Sequence, residues 1–285
     1  MNDRVQIDIV DGVADVRLVR ADKMNALDNA MFDALIQAGE RLKGEAAVRA
    51  VVLSGEGRAF CAGLDTSNFG AMASGERQGG DGTAGALVTP NRTPGGSNRA
   101  QHAVMVWREI PVPVIAAVHG VAYGGGFQLA LGPDMRFVTP DVKLSVFEIR
   151  WGLVPDMAGL ALMRHLVRDD IARDLTFSGR IFNGEEAVRI GMATRVMADP
   201  RAEALAFAKE VAGRNPHAVR AAKRLLNLAP DGDQREILME ESREQTALIG
   251  SPNQVEAVRA NMEKRAPTFR DVEVEPPAKV PFAAS

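Results

Sequence analysis

Three consecutive glycines, Gly124, Gly125 and Gly126, stand between an apolar, strand-like run (Val112 to Val118) and a helix-like one (Phe127 to Leu131). Without a side chain, glycine lets a backbone N–H approach a ligand closely. The first N–H groups of a helix lack partners within the helix and carry a positive partial charge. That combination suits an oxygen that becomes negative during a reaction. It equally suits a tight strand-to-helix turn with no chemistry. A second stretch repeats the pattern: the Val-rich run Arg49 to Leu53 leads into Gly55-Glu56-Gly57-Arg58-Ala59-Phe60-Cys61-Ala62-Gly63-Leu64-Asp65. Gly55-x-Gly57-x-x-Phe60 fails as a dinucleotide-binding fingerprint, because the third glycine is missing and no acidic partner follows at the right point.

Other chemistries find little support. Cys61 lies in this second stretch, but no histidine is near it in sequence, and a lone buried thiol behaves as a small hydrophobe. His102, His119, His165 and His217 are scattered, with no partner at metal-ligand spacing, so no metal is expected. Neither a nucleophile elbow nor a phosphate-binding Walker sequence occurs. A net charge of −3 over 285 residues gives no basic face for nucleic acid. No apolar run is long enough to span a bilayer. Met1 to Arg4 lacks the apolar core of a signal peptide, and a single cysteine fits a reducing compartment, so a cytoplasmic location is expected.

The elements that must hold these loops read as an α/β chain, with 46% hydrophobic residues available for a core. Val5 to Val10 and Val13 to Val19 read as strands around the turn Asp11-Gly12. Asn29 to Lys43 reads as an amphipathic helix, with Met31, Leu35, Ala38 and Leu42 on one face. Residues 70–96 are glycine-rich and poor in aliphatics; they read as a long loop, either a lid over the site or an insertion with no role. Asn98 to Glu109 reads as a helix. Met135 to Val138 and Lys143 to Phe147 read as strands, and from Leu160 onward the pattern is helical. We expect a core over 1–200, a helical region over 201–270 and a poorly ordered tail over 271–285.

Phe60-Cys61-Ala62-Gly63-Leu64-Asp65 together with Gly124-Gly125-Gly126 resembles the paired signature of the crotonase (enoyl-CoA hydratase/isomerase) superfamily. Arg20-Ala21-Asp22-Lys23-Met24-Asn25-Ala26-Leu27 resembles a third motif of that family, and Glu263-Lys264-Arg265-Ala266-Pro267-Thr268-Phe269 its C-terminal one. The likeness runs from about residue 5 to 270. It implies a crotonase-like spiral of ββα units with a helical C-terminal trimerisation region, assembled as a homotrimer or hexamer. It implies an acyl-CoA thioester substrate, coenzyme A being part of that substrate and no further cofactor being needed.

Residue by residue, the resemblance places the thioester oxygen between the backbone N–H groups of Leu64 and Gly125. Lys23, Met24 and Ala26 would line the adenine end. Ala62 and Asp65 would flank the pantetheine path, and Gly63, Gly124 and Gln128 would belong to the same acyl-CoA site. Lys264 would reach the nucleotide phosphates of a neighbouring subunit, although an asparagine, Asn261, replaces the family's aromatic residue three positions earlier. The family's hydratases carry two glutamates. One falls at Glu148, the retained base; the other falls at Gln128, whose amide cannot exchange a proton at neutral pH. Asp156 matches an aspartate of the family's dienoyl-CoA isomerases, although those also carry an acidic residue where Gln128 stands. Asp156 reads either as a second acid/base or as the cap of a helix starting near Met157. The resulting expectation is an enoyl- or dienoyl-CoA double-bond isomerase. The rivals are a 2-enoyl-CoA hydratase and a non-catalytic acyl-CoA-binding member of the superfamily.

Overall fold

Strands β1 (Val5–Val10) and β2 (Val13–Leu18) form the hairpin expected around Asp11 and Gly12. Both turn residues have positive φ, 50° and 79°, which a two-residue hairpin loop requires. A computed structural model describes residues 3–65, 87–88, 91–274 and 281 of the chain. Most of the loop expected at 70–96 therefore lies outside the described residues. Helix α1 (Asn29–Lys43) starts where Asp28 accepts the Met31 N–H at 2.8 Å. Helix α2 (Arg99–Glu109) starts at a reciprocal pair: the Asn98 side chain accepts from Gln101 N–H, and the Gln101 side chain accepts from Asn98 N–H.

Strands β3 (Ala50–Gly55), β4 (Val114–Val118), β6 (Met135–Val138) and β8 (Arg195–Val196) extend the sheet in the order β1-β2-β3-β4-β6-β8. Every pair beyond the first hairpin is parallel. Strand β5 (Val121–Tyr123) leaves this sheet two residues after β4 and pairs instead with β7 (Lys143–Ser145). The double step from a large-sheet strand to a small-sheet strand is the ββα unit of the expected spiral. Helix α3 (Gly125–Leu131) follows β5 directly.

Burial on both faces explains the Val-rich strands. Val51 and Leu53 of β3 join Val114 and Ala116 of β4 against Leu35 of α1 and Trp107 of α2. Their neighbours Ala50, Val52, Ile115 and Ala117 face the opposite way, onto helix α7 (Pro200–Ala212). Alternation along each strand produces the two faces. Helix α7 offers Ala204, Ala208 and Ala212, one per turn, so it lies close on the sheet.

The structure departs from the sequence reading at element ends. β7 stops at Ser145 rather than Phe147, because Ser145 Oγ donates to Gly179 O at 3.0 Å and Glu148 already opens a 3₁₀ turn, Glu148–Trp151. Helix α4 (Gly159–Met163) begins after Ala158, not at Met157, and has no side-chain cap, so Asp156 caps nothing there. The helical stretch, with α5 (Asp169–Ser178) and α6 (Gly184–Arg189), is interrupted by the two residues of β8.

Helices α8 (Pro216–Leu228), α9 (Gln234–Leu248) and α10 (Pro252–Glu263) complete the chain. No residue of α9 is buried. The tail expected from residue 271 is fastened at its start. Arg49 donates to Phe269 O at 3.0 Å and to the Asp271 carboxylate at 2.9 Å, and Val272 is buried. Residues 275–280 and 282–285 are outside the described part. No described helix is long and apolar enough to cross a membrane.

Candidate active site

Two loops cross at the glycine triplet. On one side Cys61 N–H donates to Val121 O at 3.1 Å and Tyr123 N–H to Cys61 O at 3.3 Å. On the other, Leu27 N–H donates to Gly63 O at 2.8 Å and Asp65 N–H to Leu27 O at 3.0 Å. This pattern uses the Gly63 carbonyl and the Asp65 N–H, on either side of Leu64, and leaves the Leu64 N–H unused. Gly125 is the first residue of α3, and its N–H is likewise unused. Among the described residues neither donates to a protein acceptor.

The glycines are required for distinct reasons. A Cβ on Gly126 would lie 2.2 Å from Cys61 O, so the crossing needs a bare backbone. A Cβ on Gly125 would lie 2.8 Å from Met157 Sδ and 2.9 Å from Leu27 Cδ1. Gly124 has φ 51° and ψ −122° and abuts Glu148, whose Oε1 would be 3.3 Å from a Cβ. Gly63 has φ 92°; a Cβ there would be 2.5 Å from Tyr123 O and 3.7 Å from Gly125 N. That last distance brings the Leu64 loop against the start of α3, so the two unused N–H groups belong to one small region.

Glu148 sits beside this region. Burial raises the pKa of its carboxyl, and the negative charge of Asp156 raises it further, while a hydrogen bond from Gln128 works the other way. That bond, Gln128 Nε2–H to Glu148 Oε1, is 2.6 Å long. Glu148 Oε2 is buried and has no hydrogen-bond partner among the described residues. Asp156 stands at the solvent-exposed rim, yet enough protein crowds its carboxyl for desolvation to raise its pKa. The Phe147 ring fixes the approach to Glu148. It stacks on Tyr123 with ring centres 4.8 Å apart, and the Arg150 guanidinium lies 4.8 Å from its centre.

The Lys23 to Ala26 loop touches the same region. Ala62 N–H donates to Met24 O at 2.9 Å. Met24 and Asn25 both have positive φ, 50° and 55°. The Asn25 side chain explains why they hold it: its Nδ2 donates to Glu56 O at 3.0 Å and Ala59 O at 2.9 Å, tying this loop to the one after β3. Arg20 adds a second tie, donating to Ala26 O at 3.0 Å and pairing with Asp65 at 2.6 Å. Asp65 thus holds Arg20, and its expected place beside the substrate is taken by an ion pair. Sequence reasoning missed Arg20 and Asn25. Their signal was an asparagine and an arginine inside a matched motif, five residues apart.

Three further residues of the motifs stand as follows. Gln128 is 1% exposed, and both ends of its amide are bonded to protein, so it does not offer itself to a substrate. Lys264 ends α10, exposed and with φ 54°, and no hydrogen bond or ion pair ties it to the site among the described residues. Cys61 is fully buried, its Sγ 3.1 Å from Asn25 O, and burial pushes its thiol up to about 12, which leaves no thiolate for catalysis.

His102 has two carboxylate neighbours. His102, Glu40 and Glu109 offer ligand atoms within 4.8 Å of one another. The Lys43 ammonium already lies 2.8 Å from Glu40 and 2.5 Å from Glu109, so the cation of this cluster is part of the chain. It gathers toward the C-terminal end of α1, whereas the candidate site lies at the N-terminal end.

Comparison with known proteins agrees with this geometry. Residues 8–272 match the family model described as enoyl-CoA hydratase/isomerase. A probable enoyl-CoA hydratase of Mycobacterium leprae (strain TN) is 33% identical over 91% of this chain and 96% of its own length. The mitochondrial Delta(3,5)-Delta(2,4)-dienoyl-CoA isomerase of Mus musculus is 30% identical over 89% of this chain and 77% of its own. The crystal structure of a putative enoyl-CoA hydratase from Streptomyces coelicolor A3(2) superposes with a TM-score of 0.83 at 32% identity, over 94% of each chain. Paired free N–H groups at a glycine crossing, a half-buried glutamate beside them and a match over nearly the whole chain lead to one conclusion: the chain is a crotonase-fold member of the enoyl-CoA hydratase/isomerase family.

Proposed function

We propose that this acyl-CoA enzyme is a double-bond isomerase working through a thioester enolate. The thioester oxygen sits between Leu64 N–H and Gly125 N–H. Glu148 Oε2 removes a proton from the carbon next to the carbonyl, and the C–H electron pair moves into the carbon–carbon–oxygen system. The charge gathers on the oxygen, where each donor is worth ~2.7–4 kcal/mol of barrier. Glu148 then returns that proton to a carbon farther along the chain; in a conjugated diene a protonated Asp156 gives its own proton there instead, leaving Glu148 protonated and Asp156 ionised until they re-equilibrate through solvent. No water is consumed and the mass does not change. A carboxyl raised toward neutral pH suits a group that must both take and give a proton.

The observation that supports this reading is Gln128. Its oxygen is occupied by two backbone N–H groups and its nitrogen by Glu148. No second carboxylate stands there to share a water with Glu148. The alternative, hydration of a 2-enoyl-CoA, is favoured by the names of the Mycobacterium leprae and Streptomyces coelicolor relatives. Under the same proposal Lys23, Met24 and Ala26 hold the adenine end, and Ala62 flanks the pantetheine. Helices α8 to α10 build a trimer or a hexamer, in which Lys264 serves a neighbour's nucleotide. The deciding measurement is mass spectrometry of an enoyl- and dienoyl-CoA panel incubated with the enzyme in heavy-oxygen water. Isomerisation leaves the mass unchanged. Rapid uptake of labelled oxygen by the best substrate overturns the proposal in favour of the hydratase.

A further inference from the structure

The Gln128 amide can point only one way. Its Oε1 accepts from Met157 N–H at 2.8 Å and Gly159 N–H at 2.9 Å, which only an oxygen can do. The nitrogen must then face Glu148 Oε1, 2.6 Å away. Gly159 is fitted to this arrangement, since a Cβ there would meet Gln128 Oε1 at 2.7 Å. The two oxygens of Glu148 are therefore unequal: Oε1 is bonded, and Oε2 is buried without a partner among the described residues.

We propose that Gln128 is the positioning residue of the site, anchoring Glu148 through Oε1 so that Oε2 alone exchanges the proton. Through Met157 and Gly159 it also ties the orientation of that carboxylate to the segment carrying Asp156. The proposal rests on the reading of Glu148 as the base and says how that base is held.

The chemistry favours an amide over an acid at position 128. An N–H donor stabilises the ionised carboxylate, against burial and the charge of Asp156. A glutamate there would keep one oxygen on the two backbone N–H groups. Its other oxygen would then stand where Nε2 is, facing Glu148 at a separation that two ionised carboxylates cannot hold, so the pair would share a proton. The groups facing Glu148 are few. Gln128 comes from α3, the backbone N–H groups of Glu148 itself and of Phe147 also favour the ionised form, the bare backbone of Gly124 lies beside the carboxyl, and Asp156 is the neighbouring charge. Arg150 is turned toward Gly179 O, to which its Nε donates at 3.0 Å.

The test is carbon NMR of the full chain labelled at the glutamate side-chain carboxyls, with the Glu148 signal identified by its loss in Glu148→Gln. Wild type is expected to titrate at Glu148 in one step. Gln128→Met is expected to move that midpoint up by about one to two pH units, the amount a hydrogen bond to a charged group supplies. The acid limb of kcat/KM for the best panel substrate should move with it. Gln128→Glu should split the titration into two steps. Gly159→Ala displaces the Gln128 oxygen without removing the amide and should shift the midpoint in the same direction, which serves if Gln128→Met does not fold. Unmoved midpoints and acid limbs in folded variants overturn the proposal and leave Gln128 a structural residue. Failure of the underlying reading looks different: Glu148→Gln would keep its turnover whatever the NMR midpoint does.

Discussion

Glu148 is raised in pKa by burial and by Asp156, and its Oε2 has no hydrogen bond among the described residues. For an acid this sign means that the folded chain holds its proton more tightly than the unfolded chain does. Stability is full below the unfolded value, near 4.3 for a glutamate. It falls as pH rises from there through the folded value. At neutral pH the fold therefore carries this carboxylate at a cost. Glu148→Gln should lose ~10²–10⁴-fold in turnover while raising Tm at pH 7 by roughly 2–4 °C. The gain should vanish below pH 4, and scanning calorimetry at the two pH values checks it. A second residue-scale prediction concerns the two free N–H groups. Leu64→Ala keeps its N–H and should lose less than about tenfold in kcat. Gly125→Val must displace Met157 Sδ and Leu27 Cδ1 from beside the N–H and should lose at least ~10²-fold, the effect of one missing oxyanion donor. Thermal unfolding of both variants separates loss of the site from loss of the fold. If the folded Leu64→Ala is the inactive one, the oxygen-binding role passes to some other part of the pocket.

The loop Lys23 to Ala26 holds its left-handed backbone because the Asn25 amide bridges Glu56 O and Ala59 O. Asn25→Ala strands a buried carbonyl and keeps a positive φ that alanine disfavours, so it should cost about 2–4 kcal/mol in urea unfolding. It should also weaken acyl-CoA binding, because Ala62 N–H hangs on Met24 O in the same loop. Such ties were invisible in the sequence, since their partners lie more than thirty residues apart. Elements with a local signature were legible. Helix α1 showed its apolar face, and the β1–β2 hairpin showed Asp11-Gly12. Strand β8, two residues long, is too short for any periodicity to reveal. The end of β7 was set by a distant contact, Ser145 with Gly179. Within the site, the glycines and Glu148 were readable by resemblance. The sequence showed that Gln128 is not an acid; what it does instead depends on Met157 and Gly159, which only folding brings to it.

At the scale of the whole molecule, the last three helices carry exposed apolar side chains. Leu226 of α8, Leu238 and Met239 of α9, and Val258 and Met262 of α10 are all exposed in the single chain, Met262 by 80%. Exposed side chains of this kind are what a subunit contact would cover, and the proposed trimer supplies one. Leu238→Glu with Met239→Glu should shift light-scattering mass from oligomer to monomer. If Lys264 serves a neighbour, KM for acyl-CoA should rise in the same variant. A monomeric wild type would remove the role given to Lys264. Cys61 offers a different measure of the molecule as a whole. It is the one thiol of the chain, shut beneath the crossing of the two loops and kept protonated. A disulfide reagent added to the native enzyme should therefore find no reactive sulfur, and in denaturant one per chain. The slow labelling that remains under native conditions clocks how often the two loops part, with no substrate and no engineered probe.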